Sequence, residues 1–437
     1  MQSAASQDER DRLSLKRRGI TLGLLTSAYF FSHVDRQILS ILQEQIRADM
    51  HLTDTQLGLM AGFAFAIFYA TLGIPVARLA DRSNRINIVA IALALWSVMT
   101  AVGGLAQNFT QLLLARIGVG IGEAGSSPPS HSIISDLYPP EERAGAMSLY
   151  SLGIVLGGGL GVMIGGLVAH YFGWRVAMFT VGLPGLVLAL IIKLLVKEPR
   201  RGLSDPDVVI SDTDKMPSIW EGFRSIFADK AARHIIFGIA IAAVIGYGNG
   251  AFVPSFLQRS LGMDLMQIAL IFAPAIAIIG GFSAVLGGWL ANRLAQRYDI
   301  YAQCYLIVFV KALAMLPTFA AYLSNSPYAA LGWLMLDTFL TSSYLGTSFG
   351  ILQSLAPIRL RALWASITLL VINLVGMGIG PTAVGLMSEA FKPHYGVESL
   401  RYAMIVMVAL TPWLLLHYYM AGRALKQRSL VANEAAA

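Results

Sequence analysis

The sequence predicts an all-α polytopic membrane protein, with twelve transmembrane helices in two six-helix pseudo-repeat bundles and both termini in the cytoplasm. Three observations carry this prediction. The 437 residues are 56% hydrophobic and only 13% charged, with mean hydropathy +0.64, whereas soluble domains carry about a quarter charged residues. Apolar stretches of about 20 residues, enough to cross about 30 Å of hydrocarbon, recur along the whole chain. Lys and Arg gather in alternate connecting segments, the asymmetry expected of cytoplasmic loops.

The apolar stretches run over 19–42, 56–78, 86–106, 111–135, 145–170, 175–197, 235–257, 266–291, 303–323, 328–354, 362–388 and 401–421. One set of connecting segments holds Arg10, Arg12, Lys16, Arg17 and Arg18, then Arg78, Arg82 and Arg85, then Arg143. The same set continues through Lys197, Arg200, Arg201, Lys215, Arg224, Lys230 and Arg233 to Arg293, Arg297, Arg359, Arg361, Arg423, Lys426 and Arg428. The opposite set holds little beyond Arg47, Arg175, Arg259, Lys392 and Arg401. Cytoplasmic termini require an even number of spans, and twelve is even. Residues 1–18 are too polar for a cleaved signal peptide and read as a cytoplasmic N-terminal segment. Residues 19–197 then form an N-terminal bundle, 198–234 a cytoplasmic linker, 235–421 a C-terminal bundle and 422–437 a cytoplasmic tail. Within the linker, SIWEGFRSIFADKAARHI reads either as an amphipathic helix on the membrane surface or as a solvated connection with a short helix.

The halves repeat one another. GIPVARLADRSNR after the second span is similar to GGWLANRLAQR after the eighth. After the fourth and tenth spans, Pro139, Arg143 and Ser148 match Pro357, Arg361 and Ser366 at a constant offset. Two repeated bundles are a transporter plan, with the substrate site near the midplane. The single Cys304 excludes an intrachain disulfide, and no Cys/His spacing suits a metal. Neither a Walker A loop nor a clustered nucleophile is present, so ATP-driven transport and catalysis are not expected. The net charge of +7 is explained by the loops and not by a nucleic-acid surface. No cofactor is expected, and the chain is taken as a monomer.

These features resemble the major facilitator superfamily across nearly the whole chain. The loop at 77–85 is similar to that superfamily's G-x-x-x-D-R-x-G-R motif, with Asp81, Arg82 and Arg85 in place but Ala77 and Asn84 at the glycine positions. The resemblance implies that Asp81, Arg82 and Arg85 act as a cytoplasmic latch on one conformation. A finer resemblance is to the spinster family. It rests on His33-Val34-Asp35-Arg36, on Gly122, Glu123, Ala124, Ser127, Ile133, Ile134, Asp136 and Leu137, on FGWR near 172–175 and on KEPRRG at 197–202. That family implies an amphipathic anionic lipid as substrate, such as a sphingosine-phosphate-like molecule or a lysophospholipid. The alternatives are a small organic anion such as a sugar acid, or a membrane receptor on a transporter fold. Protons and the lipid bilayer are the other expected partners, and the cell membrane the expected location.

Charges at membrane depth usually face a protein interior or water. Arg116 and Glu123, seven residues apart, lie on one helix face about 10 Å apart along the axis. Asp35 and Arg36 stand in the first span, and the superfamily's packing brings the first and fourth helices together. We therefore expect one site in which Asp35 and Glu123 exchange arginine partners and carry a proton, while Arg36 and Arg116 hold those carboxylates or a substrate head group. The competing reading is a permanent structural ion pair. Further candidates for cavity or gating roles are His33, Ser127, Tyr247 and Asn249. Pro128 and Pro129 should bend the fourth helix below Glu123. The glycine-dense fifth span suits sliding contact between halves or plain tight packing. Asn373 reads as a helix–helix hydrogen bond. Lys311 and Asp337 read as a possible structural pair.

Overall fold

The computed structural model describes residues 12–204 and 218–436, and no strand occurs among them. Arg10 and the linker residues 205–217, Lys215 included, lie outside the described residues, as does the side chain of Asp81. In chain order the helices are α1 (Arg18–Met50), α2 (Asp54–Ala61), α3 (Phe63–Arg82), α4 (Arg85–Gly103), α5 (Phe109–Glu123), α6 (Ser127–Leu137) and α7 (Pro140–Leu195). There follow α8 (Ile219–Ala228), α9 (Lys230–Arg259), α10 (Ala273–Tyr298), α11 (Tyr301–Leu323), α12 (Pro327–Thr341) and α13 (Tyr344–Leu355). The last are α14 (Arg361–Leu370), α15 (Gly378–Tyr395), α16 (Ser399–Val408) and α17 (Thr411–Ala436). Wide π-helical turns, Ile268–Phe272 and Val371–Met377, lead into α10 and α15.

Seven helical runs among the described residues are long and apolar enough to cross a membrane, and two of these, Gly145–Leu195 and Leu363–Val431, each extend over two predicted spans. The fourth and tenth predicted spans fall on the broken pairs α5–α6 and α12–α13. Helix α7 covers the fifth and sixth spans, its axis interrupted at Gly173 with φ 82° and ψ 166°. A side chain would be strained in that backbone. The turn it makes delivers Trp174 Nε1 to Asp49 Oδ2 at 3.2 Å and Arg175 to the same carboxylate. The Arg175 guanidinium holds the exposed Asp49 carboxyl below its usual range.

The described residues divide into two compact units. The first comprises Met1–Leu52, Ala64–Asp214 and Leu265–Ala273, and the second Thr53–Phe63, Lys215–Asp264 and Pro274–Ala437. These units depart from the predicted bundles at two places. Thr53–Phe63 groups with the second unit because α2 packs on α15 and Asp54 is held there: Arg259 Nη1 and Nη2 donate to it at 2.8 and 2.7 Å, and Ser388 Oγ at 2.6 Å. Leu265–Ala273 groups with the first unit, where Gly166 of α7 lies against Leu265 and Ala269.

In the first unit α1 lies along α7. A Cβ on Gly153 would come within 2.9 Å of the Phe30 nitrogen, and one on Gly161 within 2.8 Å of Val34 Cα. The fifth span's glycines at four-residue spacing therefore serve tight packing inside one unit, with α1 backbone in the groove they leave. Helix α5 approaches α3 and α4 in the same way, Gly120 against the Phe65 carbonyl and Gly122 against Trp96. In the second unit the core gathers Ile235, Ile239, Ile307, Ile351, Trp364 and Tyr418 among others. The linker stretch forms α8, whose Gly222 sits against Leu363 and Ile367 of α14 while Trp220 is 75% exposed. One face of this short helix therefore packs on α14 and the face with Trp220 is open.

The segment after the sixth span, the start of α4 and the second half of α6 are tied by Arg85, which is buried. Its Nε donates to Glu198 Oε1 at 2.6 Å, Nη1 to Ser132 Oγ at 2.8 Å and to Asp136, and Nη2 to the Pro199 carbonyl at 2.9 Å. Asp136 also accepts from Gly202 N at 2.9 Å, and Arg201 Nη2 donates to the Ala80 carbonyl at 2.6 Å. Arg85 thus bonds to residues of its own unit through each guanidinium nitrogen. Asp136 and Glu198, quoted in the sequence only as family pattern, gain a structural role as its counter-charges.

Two stability predictions follow from this packing. Removing a buried guanidinium leaves two carboxylates uncompensated, so R85A should cost on the order of 3–5 kcal/mol and R85K only part of that. Thermal unfolding of purified protein in detergent checks the ranking; equal midpoints for R85A and wild type would refute it. Overpacking predicts that G161L costs about 1–3 kcal/mol, while G158L, with nothing within 4 Å of its Cβ position, is nearly neutral in the same assay.

Candidate functional site

Four helices of the first unit meet around the predicted charges. Asn108 caps α5 by accepting from Gln111 N at 3.0 Å, and the helix then carries Arg116 and Glu123 on its inward face two turns apart. Glu123 is its final residue; the chain turns through Ala124–Ser126 and restarts as α6 at Ser127, with Pro128 and Pro129 in the first turn. Proline needs no donor partner in a first turn, so the break comes where the prolines place it. It sits directly beside Glu123.

The four charges form crossed pairs between α1 and α5. Arg36 Nε donates to Glu123 Oε2 at 2.7 Å, and Arg116 Nη1 donates to Asp35 Oδ1 at 3.3 Å. Each carboxylate thus answers an arginine on the other helix. Ser32 Oγ also donates to Glu123 Oε2, at 2.9 Å, and Thr100 of α4 donates to Asp35 Oδ2. From α3, Phe65 and Tyr69 offer ring faces to Arg36, 5.1 and 4.7 Å from the guanidinium carbon, and Phe65 also lies 5.6 Å from that of Arg116. Such cation–π contacts hold a guanidinium without quenching its charge.

Burial is nearly complete: Asp35 is 2% exposed, Arg116 5% and Glu123 1%. The Arg36 side chain is the most open of the four, at 15%. The quartet carries no net charge, which makes it tolerable at low dielectric. Two of its polar atoms nevertheless lack a hydrogen-bond partner among the described residues, Glu123 Oε1 and Arg116 Nε. Buried groups of this kind are rare in finished structural networks and ask for an explanation.

The remaining predicted residues fall in different places. His33 lies one turn from the quartet's centre, its Nδ1 3.0 Å from the Tyr29 carbonyl oxygen and its ring edge-on to Tyr29 at 4.6 Å. Tyr29 stacks in turn on Tyr150 at 4.4 Å. Ser127 opens α6 immediately after the break. Tyr247 and Asn249 belong to the second unit. Tyr247 is exposed, while buried Asn249 donates from Nδ2 to the Met404 carbonyl at 3.2 Å, a bond that ties α9 to α16. Arg82 lies at the end of α3 with an exposed side chain, one residue beyond Asp81. Asn373 bonds within its own helix and not across to another: from inside the π-helical turn its Nδ2 donates to Leu369 O at 2.9 Å. No cluster of His, Cys, Asp or Glu among the described residues has the arrangement of a metal site.

Ser32, Thr100, Phe65 and Tyr69 were not identified from the sequence. Ser32 carries a weak signal, one helical turn before Arg36. Thr100 and the two aromatics carry none, since only the packing of α3 and α4 brings them near.

Comparison with known proteins agrees with this architecture. Residues 25–381 match the family described as Major Facilitator Superfamily. An MFS-type efflux pump of Mycolicibacterium smegmatis is 32% identical over 408 residues, covering 93% of each chain. The sphingosine-1-phosphate transporter SPNS2 of Danio rerio is 24% identical, covering 89% of this chain and 80% of its own. Among solved structures, a bacterial homolog to the human lysosomal transporter spinster, inward-facing and unoccupied, superposes with TM-score 0.84 at 30% identity over 93% of this chain and 97% of its own. The chain belongs to the major facilitator superfamily and is a multi-pass membrane transporter of spinster-like kind.

Proposed function

We propose that the protein is a proton-coupled secondary transporter of an amphipathic anion, working by alternating access, with Asp35 and Glu123 as proton carriers. The carrying observation is the crossed, neutral quartet in which Glu123 Oε1 is buried without a partner. A proton can settle on Oε1 without displacing Ser32 or Arg36 from Oε2. Once Glu123 is neutral, Arg36 keeps its charge and loses its counter-ion. A guanidinium in that condition binds an anionic head group through its fork of donors. Proton uptake and substrate binding are then linked through one residue.

The aromatic faces of Phe65 and Tyr69 beside Arg36 support an amphipathic substrate, for they place apolar surface next to the charge. A sphingosine-phosphate-like molecule or a lysophospholipid has that combination. The name of the zebrafish relative is in keeping with the same class. A small organic anion such as a sugar acid would use Arg36 and Arg116 but leave the aromatic surface idle. Asp81 and Arg82, at the end of α3, remain proposed elements of the cytoplasmic latch, with Arg85 at the start of the next helix.

Reconstituted proteoliposomes test both parts. Wild type should move a labelled lysophospholipid in response to a pH gradient, and E123Q and D35N should each reduce gradient-driven transport to the level of protein-free liposomes. Gradient dependence surviving in both variants would overturn the coupling. A labelled sugar acid presented in parallel decides the substrate class, since preferential flux of the sugar acid would remove the lipid assignment. Binding without translocation of either would favour a receptor on this fold.

A further inference from the structure

In the spans of the second unit, Thr318 Oγ1 donates to Asp337 Oδ1 at 2.9 Å and Lys311 Nζ lies over the Tyr344 ring at 4.1 Å. Each of these polar groups has a partner, and the pair expected of Lys311 and Asp337 is not formed. The polar groups around one cavity of the same unit are different.

This cavity, of about 460 Å³, lies between the second half of α10, the start of α11 and α13. It opens where two helices part. At Gly287 a Cβ would stand 2.2 Å from Ser343 Oγ, so α10 meets the start of α13 there. Beyond that contact Gly288, Gly346 and Gly350 have nothing within 4 Å of their Cβ positions. These glycines line the cavity with bare backbone, and its volume suits a small organic molecule.

The polar side chains that line it are rich in unused lone pairs. Thr347 Oγ1 donates to the Ser343 carbonyl at 3.1 Å, and Ser354 Oγ to the Ile351 carbonyl at 2.7 Å. A hydroxyl has one proton, so each can now only accept. Gln303 is 8% exposed, and its Nε2 donates to the Ala291 carbonyl at 3.2 Å. A carbonyl cannot donate, so that contact fixes the orientation of the amide. It leaves Gln303 Oε1 without a partner among the described residues.

A negative charge stands beside these acceptors. Asp299 follows α10 with φ 87°; its Oδ1 accepts from Ile300 N at 2.6 Å, and it forms no ion pair with a described residue. Arg293 and Arg297 do not answer it, for each guanidinium lies over a ring of its own helix, Trp289 and Tyr298, 5.3 Å from the centroid. The amides of Asn292 and Gln303 keep donors as well as acceptors and do not select by charge. The carboxylate and the two hydroxyls do.

We infer that this cavity is a second binding site, for a small organic molecule bearing a primary ammonium group. The ammonium pairs with Asp299, and the lone pairs of Gln303, Thr347 and Ser354 take further donors of the ligand. Its carbon skeleton lies on Ala291, Ala295 and Ile300, which complete the wall. The basic loops place this end of α10 on the cytoplasmic side, so the ligand comes from the cytosol. The site shares no residue with the quartet and belongs to the other unit.

Ligand-observed NMR titration of purified protein in detergent, with protein-free micelles as the blank, tests this with benzylamine. Wild type should bind benzylamine about tenfold more tightly than benzoate, which has the wrong charge, or benzyltrimethylammonium, which has no N–H donor. D299N removes the charge and keeps a residue that tolerates left-handed backbone; it should weaken binding about tenfold. G350L fills the space without meeting a neighbour and should abolish binding. D35N and E123Q should bind as wild type does, which separates this site from the carboxylates of the quartet. Absence of benzylamine binding to wild type, equal affinity for the three probes, unchanged binding in D299N or G350L, or its loss in D35N or E123Q would each overturn the proposal.

Discussion

Most of the first unit depends on one constraint: two carboxylates and two guanidinium groups share a dry space between α1 and α5. Attraction at low dielectric is strong, but so is the cost of removing each charge from water. The balance holds only while each charge has its opposite within contact distance. Crossing the pairs between helices meets that requirement. Adjacent residues 35 and 36 point in directions about 100° apart on a helix, so neither can pair with the other. Each must find its partner on α5, and the two-turn spacing of Arg116 and Glu123 supplies both.

Close approach of the helices makes this possible, and glycine makes the approach possible. The ridge of Gly153, Gly157, Gly161 and Gly165 on α7 lets α1 lie against backbone, with Gly157 against the carbonyl of Phe30 and His33 Cβ. On the far side, Gly120 and Gly122 draw α5 onto α3 and α4, bringing Phe65, Tyr69 and Thr100 to the charges. The same residues that hold α1 rigidly thereby hold Asp35 and Arg36 in register with α5. Packing and electrostatics are one arrangement here.

A second kind of charge cluster does a different task. Arg85, with Asp136, Glu198 and Ser132, has a hydrogen bond on every guanidinium nitrogen. It fastens helix ends. The quartet, by contrast, leaves Glu123 Oε1 and Arg116 Nε without partners, and incomplete satisfaction suits a group that must change partners. Asp54 with Arg259 and Ser388 belongs with the fasteners.

The sequence by itself determined the class of fold, since hydropathy and the placement of Lys and Arg are properties of composition along the chain. It also determined which charges are out of place in lipid. Asp35, Arg36, Arg116 and Glu123 could be identified because a charge in an apolar run needs no partner to be conspicuous. Tertiary structure alone decided who pairs with whom. Thr100 lies 65 positions from Asp35 and Ser32 lies 91 from Glu123, distances over which no local pattern operates. It decided too that the fifth span's glycines face α1, that Arg85 is fastened within its own unit, and that Asp337 meets Thr318 and not Lys311. A hydroxyl or an arginine looks the same in the sequence whether it faces lipid, solvent or an acid. Only packing fixes which atom lies within about 3 Å of it, and that distance sets its chemistry.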